Sequence, residues 1–302
     1  MSAALGFGHL NVATDGGGSI RIPSGFCGVF GIKPTFSLVP VHPHSPAGSL
    51  WNQGPITRTV TDAALMLTVM AQPDPRDWQA GPARNIDYRD GLEGGVRGLR
   101  IAYSRTLGYA KVEPAVAEQV DKAVRVFSDL GAQVEEIDLK LEDPIAIMRP
   151  LWSVALAMAV ASLTADQRAL MDPPLLDMAE PGFHLSALEY RQLERARDAF
   201  ARRMNMLHLQ HDLLVTPQLA VTVFEAGHNV PPGGRSKYWW EWSPFTYPFN
   251  LSQQPAAAVP CGFVNGMPVA LQVVGVRFAE ALVLRAARAF ETARPFVLPH
   301  VE

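Results

Sequence analysis

Apolar and polar residues follow one another along the chain in short segments that predict strands and helices in turn. Compact apolar runs predict strands over 10–13, 99–103, 133–139, 212–217, 255–262 and 267–275. Apolar residues at helical spacing predict helices over 114–130, 145–163, 185–207 and 279–293. This alternation predicts an α/β fold in which a mixed β-sheet is flanked by helices on both faces.

The clearest unit of this pattern lies between residues 99 and 139. A strand over 99–103 precedes a helix that begins at Pro114, a residue well suited to the first helical turn. Gly131 ends that helix as the residue beyond its C-cap, and a second strand follows. A β-α-β unit predicts two parallel strands joined by a right-handed crossover.

Two further helices carry specific expectations. Thr61 is the predicted N-cap of a helix whose apolar run over 63–71 predicts burial, and Asp62 would lie at the positive end of its dipole. In the helix over 185–207, Phe200 and Met204 belong to the predicted apolar face and Arg197 to the exposed one. The segment 72–98 is rich in Pro, Asp, Arg and Gly and predicts a surface loop.

Length, net charge and cysteine content limit the classes of protein to which this chain could belong. The chain has 302 residues, of which 48% are hydrophobic and 18% charged, and its net charge is -3. The length allows one large α/β domain or two smaller ones, and we expect a single domain over 1–302. The net charge predicts no basic footprint for nucleic acid or a membrane surface. Two cysteines, Cys27 and Cys261, predict buried thiols in strand-like surroundings and a cytoplasmic, reducing compartment. The N-terminus has no signal-peptide pattern, and no apolar run is long enough to span a bilayer.

The segment with the most chemistry runs from Ala13 to Thr35 and contains Gly16, Gly17 and Gly18 directly before Ser19. Consecutive glycines can adopt backbone angles that aim several N–H groups at one point. A serine at the end of such a run can place its hydroxyl beside those donors, as a nucleophile next to an oxyanion hole does. A tight glycine turn, closed by Pro23, or an anion-binding nest are the structural alternatives.

The whole segment resembles the core of the amidase signature family. Gly17 to Pro23 match its Gly-Gly-Ser-Ile-Arg-x-Pro run, and Phe26 to Thr35 match its Phe-Cys-Gly-x-x-Gly-x-Lys-Pro-Thr run. Further similar landmarks are 54–62, 249–252, 254–255, 259–260 and 268–272. The resemblance covers most of the chain and is weakest between about Glu142 and His211.

The resemblance implies an α/β/α sandwich and a Ser–cis-Ser–Lys amidase with no metal or cofactor. It implies that Ser19 is the catalytic nucleophile and that the N–H groups of Gly16, Gly17, Gly18 and Ser19 bind the oxyanion. The implied substrate is a small carboxylic amide. The family's bridging serine and catalytic lysine lie upstream of the glycine run, and neither motif occurs in this sequence. The chain is therefore expected to be an N-terminally truncated amidase with weak activity or none.

Four residues near the glycine run are expected to have other roles. Lys33 matches the family's Lys-Pro-Thr and not its catalytic lysine, so we expect a lysine at a strand end. Ser24 is expected to form a turn or a hydroxyl cap. Asp15 and Arg21 are expected to form a local pair that shapes the loop.

Alternative functions remain open at this point. The chain could be a non-catalytic truncated paralogue that binds a ligand or partner, and it could form a homo-oligomer through surface exposed by truncation. A glutamine-hydrolysing A-type component of an amidotransferase is disfavoured, because those proteins read Ser-Asp-Thr-Gly-Gly-Ser where this chain has Thr14 to Ser19. The aromatic cluster over 238–242 could line an acyl pocket, or it could be a packed loop or subunit contact. His42 and His44 lack further residues at a spacing that would complete a metal site.

Overall fold

Eight strands form one mixed sheet in the computed structural model, which describes residues 1–82, 84–234 and 236–298. The strands are β1 (Leu10–Asp15), β2 (Phe30–Lys33), β3 (Asn52–Thr57), β4 (Arg100–Tyr103), β5 (Gln133–Glu136), β6 (Leu213–Pro217), β7 (Ala256–Val264) and β8 (Met267–Gly275). Their order across the sheet is β1-β3-β2-β7-β8-β6-β4-β5.

The sheet is parallel at one end and antiparallel elsewhere. β4 pairs in parallel with both β5 and β6, and the remaining neighbours are antiparallel. The predicted β-α-β unit is confirmed, because the helix Pro114–Asp129 joins the parallel strands β4 and β5. Gly131 follows that helix with a φ of 89°, the left-handed conformation that favours glycine beyond a C-cap.

Ten α-helices accompany the sheet in the described residues. They are α1 (Ser2–Leu5), α2 (Arg21–Cys27), α3 (Val60–Met70), α4 (Pro114–Asp129), α5 (Ile145–Val160), α6 (Ala165–Ala169), α7 (Pro173–Ala179), α8 (Ala187–Met206), α9 (Tyr247–Leu251) and α10 (Glu280–Ala293). The predicted helices are confirmed within a few residues at each end, which is the usual uncertainty of helix boundaries.

The strands are buried on both faces, as the mixed-sheet prediction requires. Successive residues of a strand point to opposite faces of the sheet. In β6, Leu213 and Val215 pack into the cluster that contains α3, α4 and α10, whereas Leu214 packs into the cluster that contains Phe249 of α9. Helices therefore cover the sheet on both faces, and the predicted α/β architecture is confirmed.

Three local expectations were wrong. Pro23 does not close a turn but lies inside α2, where the first helical turn tolerates a missing N–H. The N-cap of α3 is Thr59 and not Thr61, since the Thr59 hydroxyl accepts the Asp62 N–H at 3.1 Å. Arg197 is buried, because its guanidinium donates to the Leu251 carbonyl and to Ser49 across the α8–α9 contact.

A long segment without regular structure and an exposed sheet edge complete the description of the fold. Residues 72–82 and 84–98 contain no helix or strand, as predicted, but Tyr88, Leu92 and Val96 are buried in the core cluster of α3, α4 and α10, so this segment does not lie wholly on the surface. β1 is an edge strand that pairs with β3 alone, and its Leu10 and Val12 side chains are 47% and 62% exposed. No helix in the described part of the chain combines the length and apolarity needed to cross a membrane.

Candidate active site

Ser19 lies in a five-residue loop between the end of β1 at Asp15 and the start of α2 at Arg21. Gly16, Gly17 and Gly18 are buried, but Ser19 is exposed. The loop therefore presents one hydroxyl to the outside from a buried backbone.

A buried ion pair joins the two ends of this loop. Arg21 Nε donates to Asp15 Oδ2 and Arg21 Nη2 donates to Asp15 Oδ1, both at 3.0 Å, and neither side chain is exposed. Burial by itself raises the pKa of the Asp15 carboxyl, but the charge and hydrogen bonds of Arg21 outweigh it and hold that pKa below its usual value. The predicted local pair is confirmed, and it is the bidentate geometry that Arg forms best.

The remaining donors of Arg21 reach residues far along the chain. Nη1 donates to the Thr246 carbonyl at 2.8 Å and to Gln272 Oε1 at 2.9 Å, and Nη2 donates to Asn250 Oδ1 at 2.6 Å. All five guanidinium N–H groups are thus bonded, as a fully buried arginine requires. The Arg21 side chain thus fastens the loop to β8 and α9.

The backbone carbonyl and N–H groups of the loop differ in their hydrogen bonding. The Thr246 hydroxyl donates to the Gly17 carbonyl at 2.7 Å. Since a trans peptide points its C=O and N–H in opposite directions, the Gly18 N–H points away from Thr246. Among the described residues, no protein acceptor bonds the N–H groups of Gly17, Gly18 or Ser19. Three adjacent donors next to an exposed hydroxyl can receive an oxygen atom of a ligand.

The glycines are required by their surroundings. Gly18 has a φ of 140°, which side-chain-bearing residues rarely adopt. A Cβ on Gly16 would lie 2.8 Å from the Trp152 ring, and one on Gly17 would lie 2.5 Å from Trp239 Cη2. Two tryptophans therefore pack directly against the loop backbone.

Gly17→Ala is expected to lower the free energy of unfolding by about 1–3 kcal/mol, because the added methyl group forces Trp239 or the loop to move. Gly81→Ala is the matched control, since a Cβ there has 3.4 Å to its nearest neighbours. The control is expected to stay within about 0.5 kcal/mol of the unsubstituted chain. Urea denaturation measures both, and equal effects of the two substitutions would contradict the close packing at Gly17.

Lys33 and Ser24 lie near the loop and could accept a proton, but each makes a hydrogen bond to a group other than Ser19. Burial, together with the nearby positive charge of Arg21, lowers the pKa of Lys33 to about 7. Its Nζ donates to the Pro34 carbonyl at 2.8 Å at the end of β2, as expected of a strand-end lysine. The Ser24 hydroxyl donates to the carbonyl of Ile20, the last residue of the loop, at 2.7 Å and so bonds four residues back along the chain. Neither side chain bonds Ser19 in the described structure.

An apolar cavity of about 430 Å³ opens beside Ser19. Its walls come from the loop, from α2, α5 and α7, and from the aromatic segment, and include Ile22, Trp152, Leu156, Leu175, Trp239 and Trp242. A larger cavity of about 760 Å³ lies on another side of α5, and no residue of the glycine loop lines it. The smaller cavity is the one that can hold a molecule against Ser19.

The other candidate groups stay apart from this loop. His44 Nε2 lies 3.3 Å from the Asp77 carboxylate, and the described residues hold no group of three metal-ligating side chains. Cys261 is a buried thiol whose pKa burial raises to about 12. Cys27 is half-buried and lies at the end of α2, so its predicted strand-like surroundings were wrong.

Several residues that complete the site were not given a role by sequence reasoning. Thr246, Asn250 and Gln272 hold Arg21, and Trp152 forms a wall of the cavity. Asn250 and Gln272 belong to the landmark segments 249–252 and 268–272, and this membership was the only indication in the sequence that they contribute to the site. Trp152 lay in the segment where the resemblance is weakest, and nothing in its surroundings signalled the contact.

The fold and the loop define a class first: α/β proteins that present a serine on a buried glycine loop beside an apolar cavity. Comparison with known proteins then gives the family. A family model described as Amidase matches residues 2–284. The chain belongs to the amidase signature family, and the predicted resemblance is confirmed.

Individual relatives agree with this assignment. The chain is 35% identical over 309 residues to an acylamidase of Rhodococcus erythropolis, which covers 98% of this chain and 63% of the relative. It is 32% identical over 319 residues to the A component of the glutamyl-tRNA(Gln) amidotransferase of Chloroflexus aurantiacus (strain ATCC 29366 / DSM 635 / J-10-fl), covering 96% and 64%. The solved structure of a bacterial aryl acylamidase of the amidase signature family superposes with a TM-score of 0.88 at 31% identity, covering 97% and 64%. The chain thus spans less than two thirds of these relatives.

Proposed function

We propose that this chain carries the nucleophile and the oxyanion site of an amide hydrolase. Ser19 Oγ attacks the carbonyl carbon of the substrate, and the N–H groups of Gly16, Gly17, Gly18 and Ser19 bind the resulting oxyanion. The C–N bond then breaks, and the amine leaves with the proton that the Ser19 hydroxyl gave up. Water hydrolyses the ester, which releases the carboxylic acid and restores the Ser19 hydroxyl. The observation that carries the proposal is an exposed serine directly after three buried glycines, beside N–H groups that bond no acceptor among the described residues.

Membership of the amidase signature family supports amide hydrolysis, and the similarity to an acylamidase and an aryl acylamidase points to a small amide. No cofactor is part of the proposal, because attack, oxyanion binding and hydrolysis use protein groups and water alone. The chain by itself is expected to be weakly active or inactive, since a serine hydroxyl needs a neighbouring base and the described residues place none against Ser19.

Trapping the acyl-enzyme tests the proposal. We define the extended chain as this chain joined to the part of the Rhodococcus acylamidase that it does not match. Incubation with an activated p-nitrophenyl ester, acid quenching and mass spectrometry of peptides should place the acyl group on Ser19. Ser24→Ala is the matched control, because the Ser24 side chain is buried and its hydroxyl donates to the Ile20 carbonyl. Acyl groups that persist at another residue after Ser19→Ala would overturn the assignment of the nucleophile.

The glutamine-hydrolysing component of an amidotransferase is a second candidate, favoured by relatives of 31–34% identity. Its glutamine substrate carries an ammonium and a carboxylate on the α-carbon. The lining of the cavity beside Ser19 includes no charged side chain in the described structure, which favours an uncharged amide instead.

We further propose a cytoplasmic protein that acts on a small-molecule amide. Two free cysteines support a reducing compartment. The open edge of β1, with exposed Leu10 and Val12, supports self-association as a homo-oligomer.

A further inference from the structure

The cavity beside Ser19 has walls that determine which group it can hold. Trp152 and Trp239 lie edge to face, with ring centroids 5.9 Å apart. Trp242 stacks on Phe26 at 5.7 Å and also meets Phe224 at 5.2 Å. Its indole N–H donates to the Asn229 carbonyl, so its polar atom is already bonded. The three tryptophans in the wall are therefore held in place by other aromatic side chains, and the rest of the wall is mainly aliphatic.

Trp239 is the residue that joins this cavity to the loop. Its ring packs against Gly17, where an added Cβ would lie 2.5 Å from Cη2, and it lines the cavity together with Ser19. A group held against the Trp239 face is therefore next to the nucleophile. Trp240, the following residue, instead stacks on Tyr238 at 4.8 Å and lines the larger cavity.

We propose that this cavity binds a neutral aryl group attached to the scissile amide and that Trp239 is its specificity-determining residue. The proposal rests on the function assigned to Ser19 above. A flat apolar ring suits a lining of three tryptophans and several aliphatic side chains, and a volume of about 430 Å³ has room for one ring and its amide. Glutamine fits this lining poorly, because its two charges would lose water without gaining an ion partner.

Binding of substrate fragments by this chain tests the inference without turnover. Ligand-observed NMR titration with benzamide, acetanilide, acetamide and glutamine gives four dissociation constants. Benzamide carries its ring on the acyl side and acetanilide on the amine side. We expect at least one of them to bind roughly tenfold more tightly than acetamide, which is the change expected from burying a phenyl ring. The tighter of the two identifies the side of the amide that enters the cavity.

Variants locate the binding. Trp239→Leu is expected to remove most of the preference for the aromatic amide, whereas Trp240→Phe should keep it. Because Trp239→Leu could disturb the loop, Leu175→Trp offers a second variant that fills the cavity from α7. It should block the aromatic amide and leave acetamide unchanged, and Leu176→Trp, which replaces the next residue of α7, is its control.

The outcomes separate this inference from the proposed function. Equal affinity for all four ligands, a preference for glutamine, or unchanged aromatic binding in both Trp239→Leu and Leu175→Trp would overturn it. Ser19→Ala should bind the aromatic amide as tightly as the unsubstituted chain. A failed acyl-enzyme experiment together with intact aromatic binding would therefore refute the role of Ser19 and not that of the cavity.

Discussion

Ser19→Ala is expected to lower kcat of the extended chain for a neutral amide by at least about 10³-fold, with little change in KM. The hydroxyl takes part in bond formation and makes no other hydrogen bond within the described structure, so its loss removes a contact made in the transition state. Steady-state kinetics with and without the substitution measures the effect. The residual rate reports the contribution of the loop N–H groups alone.

The same assay tests the expectation that this chain lacks a base for Ser19. The chain alone should hydrolyse the amide near the background rate, and Ser19→Ala should not lower that rate further. Ser24→Ala in the extended chain should keep kcat within a few-fold, because the buried Ser24 hydroxyl donates to the Ile20 carbonyl and does not bond Ser19. Full, Ser19-dependent turnover by the chain alone would show that a base is present in it.

Arg21→Met is expected to lower the free energy of unfolding by about 3–5 kcal/mol, because it leaves the buried Asp15 carboxylate without its cation. The substitution also removes hydrogen bonds to the Thr246 carbonyl, Gln272 and Asn250. A loss of this size is a large part of the stability of an ordinary domain. Urea denaturation followed by circular dichroism measures it.

A surface ion pair provides the matched control. Arg76 forms a bidentate pair with Asp74 in which the arginine is 68% exposed. Arg76→Met should therefore change the free energy of unfolding by less than about 1 kcal/mol. Equal losses of unfolding free energy in Arg21→Met and Arg76→Met would contradict the conclusion that the buried pair stabilises the fold more than the surface pair. The double substitution Asp15→Asn with Arg21→Met should recover part of the loss, since it removes the unpaired charge.

The pH dependence of stability follows from the lowered pKa of Asp15. A carboxyl whose pKa is lower in the folded state stabilises the protein above its unfolded pKa of about 4, and that stabilisation is lost as the pH falls through the folded value. In Arg21→Met, burial is left to raise the pKa of Asp15, so the buried carboxyl can take up a proton on acidification. Arg21→Met should therefore gain stability as the pH falls from the raised folded pKa of Asp15 to about 4, and the unsubstituted chain should lose stability below about pH 4. The difference in stability between the two chains should narrow across both ranges.

The Asp15–Arg21 pair also explains how the loop can be assembled before a substrate arrives. The pair joins residues that directly flank the loop, and the Arg21 contacts connect it to α9 and β8. The loop conformation is thus determined by contacts on its buried side. Donors held in place in this way need no rearrangement when charge develops on a bound carbonyl.

Local patterns in the sequence predicted the β4–α4–β5 unit, the long helices α5, α8 and α10, and the loop that carries Ser19. These features depend on residues close together in the chain, such as the apolar stripe of α4 and the glycine run. The helix α2 was missed, because a seven-residue segment containing Pro, Ser and Gly has little helical pattern of its own. It forms because Arg21 and the β7–β8 pair hold it in place.

By itself, the sequence determined the family, the α/β class and the position of the serine after its glycines, because each of these depends on residue types in a contiguous order. Only the tertiary structure placed Trp152 and Trp239 against Gly16 and Gly17 and buried Arg21 among Asp15, Asn250 and Gln272. Most of those contacts join residues more than a hundred positions apart. Hydrophobic periodicity and local propensity do not predict such pairings, because the pairings form only when the sheet and its helices pack together.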